Sequence, residues 1–120
     1  MLIGRDAVIG EDSVLLPNTL VSAFTRLGRF VFANPGCTIG HDNALADYVT
    51  LLGSSTLNGL VTVDSDAVIG SRAVIHPGTH IGTGATVGIG SVVMGHVAAG
   101  STVLGNPARK LPETVAARTA

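Results

Sequence analysis

The stretch VDSDAVIGSRAVIHPGTHIGTGATV, residues 63–87, places an aliphatic residue at every sixth position. The same spacing runs from Ile3 to Val93, and fifteen of the sixteen anchor positions hold Val, Ile or Leu. The residue four positions after each anchor is mostly small, with Asn43 a mild departure that local repacking is expected to absorb. A period of six matches neither an α-helix nor a simple alternating strand. It predicts short strands separated by sharp corners, with the anchor and the small residue both pointing inward.

Glycine marks the predicted corners. It follows the anchor directly at seven positions, Gly4, Gly10, Gly28, Gly40, Gly70, Gly82 and Gly88. We attribute this to φ values that glycine adopts and other residues resist. Three units close a triangular coil, and coils stack at the inter-strand distance of about 4.8 Å. The sequence therefore predicts an all-β fold, a parallel β-helix of about five coils over residues 1–104. Residues 105–120 are expected to form an exit turn and a tail, with a short helix starting near Pro112.

Composition narrows the function classes. Charged residues make up only 12% of the chain, against roughly 25% in ordinary domains, which suggests that surface is hidden against other copies. The net charge of −1 argues against a nucleic-acid footprint. No apolar run approaches the ~18 residues of a membrane span. The single cysteine, Cys37, cannot form an internal disulfide, so a cytoplasmic location is expected.

Two columns of outward apolar residues indicate subunit contacts. In the predicted register, residues eighteen positions apart stack on the same face or corner of the coil. The columns consist of Val14, Phe32 and Val68, and of Leu20, Val74 and Val92. Apolar stripes of this kind on an exposed face are typical of protein interfaces.

A histidine and an aspartate share one predicted corner. His41 and Asp42 are the second and third residues after the anchor Ile39 and should point out of the prism. Gly59 should lie directly beside His41 in the next coil. Acyl transfer needs a base near the nucleophile and a backbone donor where the oxyanion forms, and these residues supply both. The alternative interpretation is a solvated turn without a catalytic role.

Three motifs carry a resemblance to a known family. They are the run H-D-x2-L-x-D-Y at residues 41–48, the glycine eighteen residues after the histidine, and G-N-P-A-R at residues 105–109. The chain resembles one branch of the hexapeptide-repeat acetyltransferases, which includes sialic acid O-acetyltransferase-like proteins and bacterial amino-sugar N-acetyltransferases. The resemblance implies a left-handed β-helix, acetyl-CoA as co-substrate, and a sugar or amino-sugar acceptor. It also implies a homotrimer with active sites between neighbouring subunits.

The family's site residues map onto this sequence one by one. By resemblance, His41 is the catalytic base, Asp42 raises its basicity, and the amide of Gly59 serves the oxyanion. The acetyl-CoA contacts fall on Thr50, Ser71 and Ile89. Relatives often have histidine where this chain has Thr50. Relatives usually also carry an N-terminal Rossmann-like domain that holds a nucleotide sugar. Either such a domain belongs to this protein as well, or we expect a different or smaller acceptor.

Two other functions compete with the acetyltransferase. One is a non-catalytic trimeric β-helix that serves as a scaffold or assembly module. The more remote one is a zinc enzyme like the β-helical carbonic anhydrases, which require three converging histidines. The close pair here, His76 and His80, has the wrong spacing and occupies different strand positions, so no metal is expected. The sequence leaves the acceptor, and the choice between O- and N-acetylation, open.

Overall fold

The computed structural model describes residues 2–113 of the chain. Nearly all of its secondary structure consists of two-residue strands, one for each hexad of the sequence. The strands are β1 Leu2–Ile3, β2 Val8–Ile9, β3 Val14–Leu15, β4 Leu20–Val21, β5 Arg26–Leu27, β6 Phe32–Ala33, β7 Thr38–Ile39, β8 Ala44–Leu45, β9 Thr50–Leu51, β10 Thr56–Leu57, β11 Thr62–Val63, β12 Val68–Ile69, β13 Val74–Ile75, β14 His80–Ile81, β15 Thr86–Val87, β16 Val92–Val93, β17 Thr102–Gly105 and β18 Ala108–Lys110.

Every third strand belongs to the same sheet. The first sheet has the order β1-β4-β7-β10-β13-β16, the second β14-β11-β8-β5-β2, and the third β18-β17-β15-β12-β9-β6-β3. Neighbouring strands pair in parallel with partners eighteen residues apart, as in Leu2↔Leu20. The predicted left-handed parallel β-helix is confirmed. It makes about six turns, one more than the sequence suggested.

The anchors and the small residues together fill the prism. Ile39, Leu57 and Ile75 follow one another along the first sheet and are all fully buried. The small positions beside them, such as Cys37 and Ser55, are buried as well. Burial of both positions confirms the inward-facing pattern predicted from the hexads. Because large and small residues alternate around each turn, the narrow triangular interior is filled without large aromatic side chains.

The structure corrects the reason for the corner glycines. Positive φ occurs at the third residue after the anchor, not at the first, and eleven residues other than glycine adopt it there. Asp42, with φ 54°, is one of them. The glycines directly after the anchors serve close approach instead. A Cβ on Gly40 would lie 2.6 Å from the carbonyl carbon of Asn58 in the next turn, so any side chain there would collide with backbone.

The regular repeat ends after Val93. The next parallel pairing, Ile81↔Val97, joins residues only sixteen apart, so the last turn is shorter. The chain then reverses in the β17–β18 hairpin, where Gly105 faces Ala108. The division predicted between residues 104 and 105 stays a prediction, and most of the tail helix expected from Pro112 lies outside the described residues. Within residues 2–113, no helix is long and apolar enough to cross a membrane.

Candidate active site

One corner of the prism carries the predicted catalytic pair. This first corner joins the first sheet to the second, and β7 delivers His41 and Asp42 to it. The backbone of the corner is bonded to the turns on both sides. Asp42 N–H donates to Ala23 O at 3.0 Å, and Leu60 N–H donates to His41 O at 2.9 Å. The pair therefore sits on a rigid corner, although its side chains face solvent.

Polar side chains in the interior of the prism form hydrogen bonds to the backbone of the same corner. The Thr25 hydroxyl donates to Gly40 O at 2.6 Å and accepts from Asn43 N–H at 3.2 Å. The Asn43 carboxamide oxygen accepts from Val61 N–H at 2.8 Å. Thr25 and Asn43 are both buried. Their bonds fix the backbone on either side of His41 and Asp42 and link it to the next turn.

His41 and Asp42 form a contact suited to acid–base chemistry. Nδ1 of His41 lies 2.9 Å from Oδ2 of Asp42, and the side chains are 60% and 48% exposed. A carboxylate can only accept, so Nδ1 carries the proton that is shared in this contact. In the neutral ring, Nε2 then has a free lone pair and can take a proton from a bound acceptor. The structure thus brings these two predicted residues together in the arrangement of a base with its orienting acid.

Gly59 lies directly under the imidazole, as its place in the stack predicts. A Cβ on Gly59 would lie 2.6 Å from Cε1 of His41 and closer still to Nε2. Only glycine therefore leaves room for the ring in this position. Within residues 2–113, the Gly59 N–H donates to no backbone or side-chain acceptor. A backbone N–H without a partner beside Nε2 fits the oxyanion role predicted for Gly59.

A groove of about 370 Å³ runs beside this pair on the outer face of the first sheet. Thr38 and Thr56 line it from neighbouring strands, and His41, Asn58 and Gly59 line it from the corner. Sequence reasoning missed Asn58. Asn58 stands directly after an anchor, a position that glycine takes at only seven of the sixteen anchors, so the repeat gave no signal for it.

The predicted acetyl-CoA residues lie elsewhere on the prism. Thr50 is on the outer face of the third sheet, where it pairs with Val68. Ser71 and Ile89 belong to another corner, between the third and first sheets, and line a separate cavity of about 210 Å³. That cavity also includes Val68 but not Thr50. One chain therefore does not bring the predicted donor residues to the predicted base.

A second histidine–aspartate contact was not foreseen. His80 Nε2 lies 2.7 Å from Asp64 Oδ2, and His80 N–H donates to Nδ1 of His96 at 2.9 Å. Asp64 and His80 lie in adjacent turns but are sixteen residues apart. The eighteen-residue register therefore did not predict that they would be in contact. His76 contacts Pro77 O instead of joining them. In the described part of the chain, no group of three or more His, Cys, Asp or Glu is placed to hold a metal ion.

Comparison with known proteins supports the same family. No family model matches the sequence. A GDP-perosamine N-acetyltransferase of Escherichia coli is 41% identical over 59 residues, which are 49% of this chain and 27% of that protein. The acetyltransferase domain of PglB from Neisseria gonorrhoeae, solved with acetyl coenzyme A, has a TM-score of 0.90 and 32% identity. The predicted resemblance to hexapeptide-repeat amino-sugar acetyltransferases is confirmed.

Two further solved relatives give the extent of the match with these hexapeptide-repeat acetyltransferases. WeeI from Acinetobacter baumannii has a TM-score of 0.90 and 40% identity. PerB from Caulobacter crescentus, solved with CoA and GDP-perosamine, has a TM-score of 0.90 and 27% identity. Like the PglB domain, each is matched over 92% of this chain and 54% of its own. The chain thus spans about half the length of the solved relatives it matches.

Proposed function

We propose that this protein transfers the acetyl group of acetyl-CoA to a sugar or amino-sugar, free or nucleotide-linked, with His41 as general base. The observation that carries the proposal is the corner itself. There, His41 Nδ1 contacts Asp42 at 2.9 Å and Nε2 lies over Gly59 beside an open groove. This one arrangement supports the roles predicted for His41, Asp42 and Gly59.

The chemistry assigns one step to each group. An amine or hydroxyl of the acceptor donates to Nε2 of His41, and its lone pair attacks the thioester carbonyl carbon. As the bond to carbon forms, the proton moves to Nε2, and the Asp42 carboxylate stabilises the imidazolium. The Gly59 N–H donates to the developing oxyanion. The carbon–sulfur bond then breaks, the proton passes from His41 to sulfur, and CoA leaves as the thiol.

The relatives support both substrates. The PglB domain was solved with acetyl coenzyme A, and PerB was solved with CoA and GDP-perosamine. The cavity at Ser71 and Ile89 suits the donor's flexible arm, since Leu52 and Val68 give it apolar walls and Ser71 a hydroxyl. We also propose a cytoplasmic setting, which the buried free thiol of Cys37 fits.

We further propose that the working form is a homotrimer. The base lies at one corner and two of the predicted donor residues, Ser71 and Ile89, at another, so a single chain holds two separate half-sites. A neighbouring copy that places its Ser71 corner against the His41 corner completes the site. The outer columns also fit a contact between copies, because Val14 is 44% exposed and Phe32 and Val74 are each 38% exposed.

Replacing the base tests the proposal. His41→Ala is expected to lower the rate of acetyl transfer by about 10²–10⁴-fold. Asp42→Asn should lower it less, because a hydrogen-bonding group remains. His76→Ala is the matched control, since it removes an exposed histidine whose ring Nδ1 pairs with the carbonyl of the neighbouring Pro77 and not with a carboxylate. Rates are measured by thiol release with GDP-perosamine as acceptor, together with melting temperatures. A folded wild-type trimer without any transfer activity would favour the scaffold function instead.

A further inference from the structure

Some corners of the prism are closed by a side chain from the preceding turn. In several other corners, the N–H of the fourth residue donates to the carbonyl oxygen of the first, as from Ala73 to Gly70 at 3.1 Å. In the corner of residues 40–43, the Thr25 hydroxyl bridges these two groups instead. It donates to Gly40 O at 2.6 Å and accepts from Asn43 N–H at 3.2 Å. One side-chain oxygen therefore sets the backbone spacing across the corner that carries the proposed base.

Asn43 extends this interior support to the next turn. Its N–H is held by Thr25, and its carboxamide oxygen accepts from Val61 N–H at 2.8 Å. Val61 ends the corner of residues 58–61, which contains Gly59. The pair of Thr25 and Asn43 thus joins the corner of the proposed base to the corner of the proposed oxyanion donor.

Asn43 makes this link at a cost to the fold. Its side chain is buried, and within residues 2–113 its Nδ2 has no hydrogen-bond partner. A buried donor without a partner destabilises the folded state. The same interior stack has Thr25 one turn before and Val61 one turn after, so the packing of the stack does not require a carboxamide. What Asn43 contributes is the oxygen that accepts from the next corner.

We propose that Thr25 and Asn43 are positioning residues for acetyl transfer. Both are buried inside the prism, and they act by fixing the position of His41 relative to the N–H of Gly59. The base must meet the acceptor nucleophile while the amide donates to the oxygen of the same reacting carbonyl, so both groups must be held at once. Because successive turns of the prism supply them, a link between those turns sets their geometry. The inference rests on the proposed function and deepens it.

Thr25→Val tests the first link, because it removes the bridging oxygen and keeps the shape of the side chain. We expect kcat to fall about 10–100-fold, since a displacement of about 1 Å in a reacting group costs on the order of 10²-fold in rate. The Kd for acetyl-CoA should stay within about twofold of the wild-type value, because its predicted contacts lie elsewhere on the prism. Thr25→Ser returns a hydroxyl and should restore most of kcat.

Ser13→Ala is the matched control for Thr25→Val. The Ser13 hydroxyl forms the same kind of bridge, because it donates to Gly28 O at 2.9 Å and accepts from Val31 N–H at 3.0 Å. The corner that it closes contains no predicted site residue. Ser13→Ala should therefore lower the melting temperature, as the loss of such a bridge does in either place, and leave kcat unchanged.

A pair of variants at residue 43 tests the second link. Asn43→Thr supplies a hydroxyl that can accept from Val61 N–H, as Thr25 accepts from Asn43 N–H one turn before. It should keep most of the wild-type kcat and raise the melting temperature, because the unpaired Nδ2 is gone. Asn43→Val has the same shape without the oxygen and should fold, since Val61 occupies the same stack. Its kcat should fall about tenfold or more, with acetyl-CoA binding retained.

The outcomes separate the positioning role from the proposed function. Rates are measured by thiol release with GDP-perosamine as acceptor, and acetyl-CoA binding is measured by calorimetry. If folded Thr25→Val and Asn43→Val have the same kcat as Ser13→Ala, the two side chains support only the fold and the positioning role is overturned. A wild-type protein that binds acetyl-CoA but transfers nothing, or a His41→Ala variant with wild-type kcat, would overturn the proposed function and this inference with it.

Discussion

A single methyl group at Gly59 should disable the site while leaving the fold intact. In Gly59→Ala the new Cβ would be 2.6 Å from Cε1 and 3.0 Å from Cδ2 of His41, whereas ordinary contact begins at 3.4 Å. The imidazole must therefore move by 0.8 Å or more at Cε1. Since its side chain is 60% exposed, the ring can swing into solvent without disturbing the core.

The two expected effects differ greatly in size. A displacement of about 1 Å in a reacting group costs on the order of 10²-fold in rate, and moving the ring also lengthens its contact with Asp42. The fold loses almost nothing, because a surface change of this kind is worth within about 0.5 kcal/mol. We expect kcat to fall about 100-fold and the melting temperature to shift by less than about 4 °C.

The assay compares Gly59→Ala with a glycine at the same position of another turn. Gly95 occupies the same corner stack, and a Cβ there would meet nothing within 4 Å. Gly95→Ala should keep full activity in the thiol-release assay, with GDP-perosamine as acceptor. If Gly59→Ala is folded and as active as Gly95→Ala, the position of the imidazole over Gly59 does not matter. His41 would then lose its assignment as the base.

Three other predictions concern the donor site, the assembly and the packing of turns. Ser71→Trp should weaken acetyl-CoA binding by calorimetry about tenfold or more, whereas Ser65→Trp, at the equivalent position of another corner, should not. Light scattering should give three times the 12.1 kDa chain mass, and a monomer at micromolar concentration would contradict the shared site. Gly40→Ala should destabilise the fold by about 1–3 kcal/mol in denaturant titrations, because its Cβ would meet backbone and not a movable ring; stability equal to that of Gly95→Ala would contradict this account.

The fold could be predicted because one spacing determines it. An aliphatic residue at every sixth position, with a small residue four positions later and glycine after many anchors, predicted short strands joined by corners, and the burial of Ile39, Leu57 and Ile75 confirms that the anchors face inward. The reason for glycine at the corners could not be predicted from the sequence. Glycine at Gly40 avoids a collision with the next turn, and this collision depends on the direction of the Cβ at that position, which the spacing of the anchors does not give.

The site was predictable only as far as the eighteen-residue register reaches. Stacking placed Gly59 beside His41, and the structure has them in contact. His80 contacts Asp64 although the two residues are sixteen and not eighteen positions apart. This contact depends on the direction in which the side chains point, and the sequence register does not give that direction. The same register also separates Ser71 from His41, because the distance between them along the chain is not a multiple of eighteen residues.

The core itself departs from the repeat at the corner that carries His41. Asn43 takes a position that other turns give to a small residue, and in residues 2–113 its buried Nδ2 has no hydrogen-bond partner. An unpaired buried donor costs about 1–3 kcal/mol, so repacking alone does not account for it. The same side chain bonds Val61 N–H, while Thr25 ties Gly40 O to Asn43 N–H. Departures from local rules concentrate where function needs a fixed geometry. Thr25 and Asn43 hold the backbone of residues 40–43 from inside the prism, and this turn places His41 at the groove and Asp42 beside it.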